Sequence, residues 1–146
     1  MSEPQPRPSV VFVCQSNAGK SQMAEALMRQ VAGDGVEIHS CGTRPGTDIN
    51  HESAAALAEI GADMSGGVPK GVDPEVLRRA DRVVILGENA QLEPVEGQRA
   101  PIERWVTDEP STRGIHGEER MRLVRDDIRH RVQQLADELG VGGTAG

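Results

Sequence analysis

The fold of this chain is decided by residues 9–27, Ser9-Val-Val-Phe-Val-Cys14-Gln-Ser-Asn-Ala-Gly19-Lys20-Ser21-Gln-Met-Ala-Glu-Ala-Leu27. An apolar run rich in β-branched residues ends at Cys14, a short polar loop follows, and Lys20 and Ser21 open a segment with helical apolar periodicity. A strand, a tight loop and a helix N-terminus in this order surround a space with backbone N–H groups and favour a tetrahedral oxyanion there. A thiol at the base of that cradle faces the positive end of the helix dipole, which favours the nucleophilic thiolate.

Length and composition exclude several classes of protein. The chain has 146 residues, the length of one ordinary domain, and 36% of them are hydrophobic, which is enough for a single core. A formal net charge of −7 argues against a nucleic-acid-binding protein, which needs a basic face. No apolar stretch approaches the roughly 20 residues that span a bilayer, and the first residues lack the apolar centre of a signal peptide. We therefore expect a cytoplasmic protein that binds neither nucleic acid nor membranes.

Cysteine usage points in the same direction. Cys14 and Cys41 are too few for a disulfide framework, and the chain has neither a CxxC pair nor a His/Cys cluster at zinc spacing, so we expect no bound metal. Cys41 ends the second predicted strand. It could form a protective or resolving disulfide with Cys14, although a small buried residue is the more common role of such a cysteine.

Strands and helices alternate along the chain, which predicts a parallel sheet covered by helices on both faces. Apolar runs predict strands over 9–13, 36–39, 81–87 and 101–104. Periodicity and capping residues predict helices over 21–32, from Asn50 or Ser53 to 60, over 73–80 and over 118–139, with a helical turn at 88–92 and loops at 93–100 and 105–117. We expect an α/β fold, a three-layer α/β/α sandwich with a four-stranded parallel sheet, in one domain over 9–139 between a disordered tail at 1–8 and a flexible tail at 140–146.

The loop after the first strand allows two interpretations. Gly19-Lys20-Ser21 fits the end of a Walker A nucleotide-binding loop, but Cys14 occupies the position of its first glycine. A Walker B strand ends in Asp, whereas the best buried strand here begins with Asp81 and ends with Gly87. Thiolate chemistry on an oxyanion explains the cysteine, which the nucleotide-binding interpretation leaves without a role.

Several segments together resemble a known family. Cys14 followed after five residues by Lys20-Ser21, and the segments EIHSCGT (37–43), GADMS (61–65), DRVVILG (81–87) and ERWVTDEP (103–110), are similar to those of low-molecular-weight tyrosine phosphatases. They resemble still more the arsenate-reductase relatives of these phosphatases, over about residues 9–139, and most of all the actinobacterial branch that uses the thiol mycothiol. The resemblance implies the low-molecular-weight phosphatase fold and an arsenate–mycothiol transferase that contributes to arsenical resistance.

The resemblance also implies roles for the residues of the loop. Arsenate, which has the shape and charge of phosphate, would be held by the backbone amides of Gln15, Ser16, Asn17, Ala18, Gly19 and Lys20. The hydroxyl of Ser21 would stabilise the Cys14 thiolate, and the Asn17 amide would hold the loop open. Without the family, Ser21 is a helix cap and Asn17 a turn residue, and these roles are compatible with the others. The family usually has Arg where this chain has Lys20, a point charge without a planar fork, so we expect weak substrate binding.

A leaving oxygen needs a proton, which the family supplies from an Asp directly before Pro. The aligned residue here is Glu109, with Asp108 as the competing proton donor, and the alternative is that Asp108-Glu109-Pro110 is only an acidic turn. The thioredoxin-linked relatives carry two further cysteines around the segment after the third strand, but residues 86–94 contain none. The electrons must therefore come from outside. The resemblance implies that mycothiol attacks the bound arsenate as co-substrate, that a mycoredoxin-type small redoxin releases arsenite, and that no cofactor is tightly bound.

Two other functions compete with arsenate reduction. A tyrosine phosphatase favours an aromatic wall for the phenyl ring, but Ser111-Thr112 follows Pro110, and Trp105 suits a core position better. A non-catalytic oxyanion-binding module would not need the acidic loop. A redox sensor would need the thiol but not the acid.

Overall fold

The computed structural model describes residues 7–141. Residues 1–6 and 142–146, where most of the two predicted tails fall, lie outside the described residues. In chain order the elements are β1 (Ser9–Cys14), α1 (Lys20–Ala32), β2 (Glu37–Gly42), α2 (His51–Ala58), α3 (Pro74–Arg79), β3 (Arg82–Leu86), β4 (Ile102–Trp105) and α4 (Gly117–Glu138), with 3₁₀ turns at Gly33–Gly35 and Pro110–Arg113.

The four strands form one parallel sheet in the order β2-β1-β3-β4, so the predicted α/β fold is confirmed. The register aligns Cys14 with Gly42, and Leu86 with Trp105. All four strands therefore end at the same edge. Ligands of such sheets bind beyond this edge, and the central strand β1 delivers Cys14 to it.

The two faces of the sheet are covered unequally. Val10 and Phe12 of β1 point to the face that carries α1, α2 and α4, where Leu27 and Ile128 are fully buried. Val11 and Val13 point to the opposite face, which is covered by α3 and by the connection between β3 and β4. Trp105 packs on the first face, with its ring centroid 5.9 Å from that of Phe12. This aromatic side chain is partly buried and packs against the core, in line with the position that the sequence suggests for it.

Element boundaries differ from the predictions where tertiary contacts extend or shorten an element. β2 begins one residue later than predicted and continues three residues beyond 39, because Ser40, Cys41 and Gly42 stay in register with the end of β1. Of the two predicted caps of α2, Asn50 is the observed one, since its Oδ1 accepts a hydrogen bond from the Ser53 amide at 2.9 Å. The last two residues of this predicted helix form a turn after α2. A 3₁₀ turn interrupts the predicted loop at 105–117.

The predicted helical turn at 88–92 is wrong, because the structure has no helix there. The Arg104 guanidinium donates from Nη1 to the carbonyl of Gly87 at 2.7 Å and from Nη2 to that of Ala90 at 2.8 Å. Gly87 adopts a φ of +90°, which favours glycine and directs the chain away from helical geometry. A long-range contact therefore overrides the local helical preference.

Candidate active site

The loop between β1 and α1 is held from outside by the segment that follows β2. Because its carbonyls point outward to this segment, its remaining backbone N–H groups point inward. Four backbone hydrogen bonds hold the loop in this way. They run from the amides of Thr43, Arg44, Gly46 and Asn50 to the carbonyls of Cys14, Gln15, Ser16 and Ala18, at 3.1, 2.7, 2.9 and 2.7 Å, respectively.

Gly42 is required by the close approach of β2 to this loop. A Cβ atom at this position would lie 2.8 Å from the backbone nitrogen of Asn17 and 2.8 Å from the carbonyl oxygen of Gln15. Neither backbone atom can move without displacing the loop. The glycine lets the two chain segments pack closely enough to form the outward hydrogen bonds.

Two of the six amides predicted to bind the oxyanion have acceptors within the protein. The Asn17 amide donates to Cys14 Sγ at 3.2 Å, and the Ala18 amide donates to Ser16 Oγ at 3.1 Å. Gly19 is the N-cap of α1 and Lys20 is its first residue, so their amides have no acceptor within the helix. The amides of Gln15, Ser16, Gly19 and Lys20 are the ones left for an oxyanion.

The structure brings Cys14, Asn17 and Ser21 together as the sequence predicts. Ser21 Oγ lies 2.9 Å from Cys14 Sγ, and Asn17 Nδ2 donates to Ser21 Oγ at 2.8 Å. The amide orientation is fixed because the backbone N–H of Lys70 donates to Asn17 Oδ1 at 3.0 Å. Ser21 Oγ therefore accepts from Asn17, and its own hydrogen is free to point to the sulfur. The Asn17 amide and the Ser21 hydroxyl thus both contact the sulfur.

Three residues that sequence reasoning missed extend this network. Ser40 Oγ accepts from Asn17 Nδ2 at 3.0 Å and donates to Glu25 Oε1 at 2.6 Å. Lys70 Nζ lies 3.3 Å from Ser40 Oγ and 3.4 Å from Asn17 Oδ1. Ser40 and Lys70 come from distant segments, so no local motif could identify them. Asn17 and Ser21 are fully buried, which makes these hydrogen bonds hard to replace with water.

Cys14 lies at the base of a cleft of about 210 Å³. The loop forms one wall of the cleft, and the residues that follow β3 form the other. The loop contributes Gln15, Ser16, Gly19 and Lys20, and the second wall consists of Leu86, Gly87, Glu88, Asn89 and Ala90. No aromatic side chain lines the cleft.

Both predicted proton donors are ion-paired. Glu109 accepts two hydrogen bonds from Arg120 and lies 3.7 Å from Lys20 Nζ, so the structure brings it to the loop. Asp108 accepts two from Arg113, at 2.7 and 3.2 Å. The arginine in each pair lowers the pKa of its carboxyl, that of Glu109 to about 2. Sequence reasoning missed Arg120, which α4 presents eleven residues after Glu109.

Cys41 is a buried residue on the other face of the sheet. It packs with Val11 and Val13, whereas Cys14 faces Ser21 of α1. Both thiols are free, and burial raises the pKa of Cys41 to about 11. A disulfide between them would require one strand residue to reverse its direction. The geometry therefore favours the interpretation of Cys41 as a small core residue.

Among residues 7–141, no group of three or more His, Cys, Asp or Glu side chains is arranged to hold a metal ion. No helix in this part of the chain has the length and apolar character needed to cross a membrane.

The amino-acid sequence is similar to those of known proteins. The sequence model of the family described as low molecular weight phosphotyrosine protein phosphatase matches residues 9–142. The arsenate reductase of Bacillus subtilis (strain 168) is 31% identical over 132 residues, which are 88% of this chain and 94% of the relative.

Solved structures agree with the sequence comparison. A Corynebacterium glutamicum protein described as a thioredoxin-dependent arsenate reductase superimposes with a TM-score of 0.75 at 29% identity. The match covers 92% of this chain and 63% of that one, so this chain spans less than two thirds of its length. A structure described as an arsenate reductase in the phosphate binding state also has a TM-score of 0.75, at 26% identity, with 90% and 98% of the two chains covered.

Proposed function

We propose that this chain, which belongs to the low molecular weight phosphotyrosine protein phosphatase family, is an arsenate reductase that works as an arsenate–mycothiol transferase in the cytoplasm. One observation carries the proposal. The Cys14 sulfur accepts a hydrogen bond from the Asn17 amide and lies 2.9 Å from Ser21 Oγ, at the base of a loop whose carbonyls are bound from outside. A thiolate and a ring of N–H donors at one point are what nucleophilic attack on a tetrahedral oxyanion requires.

In the proposed reaction the Cys14 sulfur attacks the arsenic of arsenate, and one oxygen leaves as water. The external thiol then attacks the arsenic and the bond to Cys14 breaks, so that an arseno-thiol adduct leaves the site. A redoxin thiol attacks the sulfur of this adduct. The arsenic takes the electron pair of the broken sulfur–arsenic bond and departs as arsenite, and a mixed disulfide remains.

The residues of the loop have different roles in this reaction. The amides of Gln15, Ser16, Gly19 and Lys20 hold the oxygens, and the Lys20 ammonium adds positive charge. The Ser21 hydroxyl contacts the attacking sulfur and holds it in place. Proton donation to the leaving oxygen by Asp108 or Glu109 stays a prediction, and it requires the carboxyl to leave its ion pair with Arg113 or Arg120. Asp108→Asn and Glu109→Gln test it separately, and unchanged arsenate turnover in both variants would contradict it.

The choice of an external thiol rests on the cleft wall and on Cys41. The wall from Leu86 to Ala90 contains no cysteine, and Cys41 packs on the opposite face of the sheet. Within these 146 residues, no second thiol can therefore reach a Cys14–arsenic adduct without rearrangement of the strands. Mycothiol and a mycoredoxin-type redoxin meet this need. Thioredoxin is the competing reductant, because a structural relative is described as thioredoxin-dependent.

The test measures arsenate-dependent thiol consumption with two reductant systems. Mycothiol with its redoxin is expected to sustain turnover, and thioredoxin alone is not. The Cys14→Ser variant, which keeps the loop, is expected to lose turnover, whereas Cys41→Ser is expected to keep it. Turnover with thioredoxin alone would contradict the proposed reductant.

Parallel measurements separate the competing functions. Hydrolysis of p-nitrophenyl phosphate that outpaces arsenate turnover would identify a phosphatase. Phosphate binding with neither activity would identify an oxyanion-binding module, and reversible oxidation of Cys14 without turnover would identify a redox sensor.

A further inference from the structure

Glu109 lies in a cluster of charged side chains beside the catalytic loop. Its Oε2 accepts hydrogen bonds from Arg120 Nε and Ser111 Oγ, both at 2.9 Å. Its Oε1 accepts from Arg120 Nη2 at 3.1 Å and lies 3.7 Å from Lys20 Nζ. Both carboxylate oxygens are therefore occupied by donors, and the pairing with Arg120 is bidentate.

We propose that Arg120 is a specificity-determining residue, which withholds Glu109 from proton transfer and thereby turns the site away from phosphate esters and towards arsenate. The claim about arsenate rests on the proposed function. The claim about phosphate esters depends only on the geometry of Glu109, Arg120 and the loop.

Ester hydrolysis depends strongly on a proton donor. When the Cys14 sulfur attacks the phosphorus of an ester, the phosphorus–oxygen ester bond breaks and the leaving alkoxide or phenoxide has no proton of its own. A protonated carboxyl must supply one and then, as a carboxylate, take a proton from the water that cleaves the sulfur–phosphorus bond. Such general acid–base transfer contributes about 10²- to 10⁴-fold to a rate.

Arsenate makes a weaker demand on the protein. The oxygen that leaves arsenic is a hydroxyl group of the substrate, which already carries one proton and can receive the second from another arsenate hydroxyl. The sulfur–arsenic bond is then broken by a thiol rather than by water, so no base has to activate water. A site without a protonated carboxyl is therefore impaired for esters much more than for arsenate.

The contacts of Glu109 keep it in the form that cannot donate. A guanidinium on both oxygens stabilises the carboxylate, and its hydrogen bonds are the largest cause that lowers the pKa of Glu109 to about 2. Burial acts in the opposite direction but less than the Arg120 hydrogen bonds, and the Ser111 hydroxyl and the charge of Lys20 lower the pKa further. At neutral pH the protonated form is then negligible.

Two other carboxylates lie beside this cluster. Asp108, next in the chain, accepts two hydrogen bonds from Arg113. Glu52 of α2 faces Arg120 and supports its positive charge. Among the described residues, Arg120 is the one that contacts both oxygens of Glu109, so it is the residue to remove.

The test compares two esters that differ in their need for an acid. Phenyl phosphate has a poor leaving group and needs protonation, whereas p-nitrophenyl phosphate has a good one. In Arg120→Met, kcat for phenyl phosphate is expected to rise about tenfold relative to kcat for p-nitrophenyl phosphate at pH 6, because Glu109 regains an ordinary affinity for a proton. The ratio of ester hydrolysis to arsenate turnover is expected to rise with it.

A double variant and a matched control make the result specific. Adding Glu109→Gln to Arg120→Met is expected to abolish the gain. Arg122→Met, which removes another α4 arginine from the Glu59 carboxylate, is expected to leave the ratio unchanged. Arg120→Lys, which keeps the charge but loses the fork, is expected to give a smaller gain and serves if Arg120→Met does not fold.

The outcomes that overturn the proposal are distinct from failure of the proposed function. An unchanged ester ratio in Arg120→Met, or a gain that survives Glu109→Gln, contradicts the role of Arg120. Side-chain NMR titration of Glu109 gives an independent readout, since its pKa must rise in the variant. Absence of arsenate-dependent thiol consumption in the unmodified chain contradicts the proposed function and leaves the ester result standing.

Discussion

The catalytic loop and the acidic segment at 108–113 meet at the same edge of the sheet but are held in opposite ways. Backbone hydrogen bonds and fully buried side chains such as Asn17 and Ser21 hold the loop. Ion pairs hold the acidic segment, with the side chains of Asp108 and Glu109 about one-third exposed. Buried hydrogen bonds are hardly screened by salt, whereas exposed ion pairs are weakened by salt and by acid. The loop is thus preorganised, and the acidic segment is adjustable.

Gly42→Ala should have the largest effect, because it breaks the loop itself. The new Cβ would meet two loop backbone atoms at 2.8 Å, so the loop must move and the ring of amides opens. We expect oxyanion-dependent turnover to fall by more than about 100-fold, with a loss of about 1–3 kcal/mol in the free energy of unfolding. Gly66→Ala, whose Cβ would meet no atom within 4 Å, is the control. Turnover near that of the control would show that the loop tolerates displacement.

Ser21→Ala tests the thiolate without moving the loop. It removes the hydroxyl that contacts the Cys14 sulfur, so alkylation of Cys14 by iodoacetamide at pH 7 should slow about tenfold. Mass spectrometry of the labelled peptide separates Cys14 from Cys41. Ser65→Ala, on an exposed loop, should react like the unmodified chain. Equal rates in the two variants would mean that Ser21 only caps the helix.

Lys20→Arg tests the charge at the junction of the two regions. A guanidinium can bind an oxyanion with two parallel hydrogen bonds, which the ammonium cannot, so inorganic phosphate should bind several-fold more tightly. Calorimetric titration measures this affinity, and Lys20→Met should weaken it. Equal phosphate binding by Lys20→Arg and the unmodified chain would contradict the expected weakness of the lysine site.

Glu109→Gln should have the smallest effect, and it should appear in acid. The pKa of Glu109 falls from an ordinary 4.5 to about 2 on folding, so its pairing stabilises the fold above pH 4.5 and the contribution is lost as the pH drops towards 2. Because the carboxyl is about one-third exposed, we expect about 1 kcal/mol in the free energy of unfolding.

Urea unfolding between pH 2 and pH 6 measures this effect. Glu109→Gln should flatten the pH dependence of stability, whereas Glu88→Gln, which removes a carboxylate with no ion pair among residues 7–141, should not. Identical slopes in both variants would show that the pairing of Glu109 contributes nothing to the folded state.

The loop was predictable because its signals are local. The apolar run, Cys14, the polar turn and the helix start are neighbours in the chain, and their order alone indicates an oxyanion cradle. For the acidic segment, the sequence indicated the acidic residues but not the side chains that pair with them. Its partner Arg120 shows no motif, and neither do Ser40 and Lys70, which orient Asn17 from 23 and 53 residues away.

The amino-acid sequence by itself determined the parallel α/β fold and the place of Cys14 at the end of a strand, and the resemblance of its motifs indicated the family. The fold and the place of Cys14 follow from periodicity and from contacts within a few residues, whereas the tertiary structure decided that Cys14 lies on a central strand of the sheet. Only the tertiary structure decided which loop amides stay free, how the Asn17 side-chain amide is oriented, and that Arg120 forms an ion pair with Glu109. Those features depend on strand register and on helix packing, which join segments that no local pattern connects.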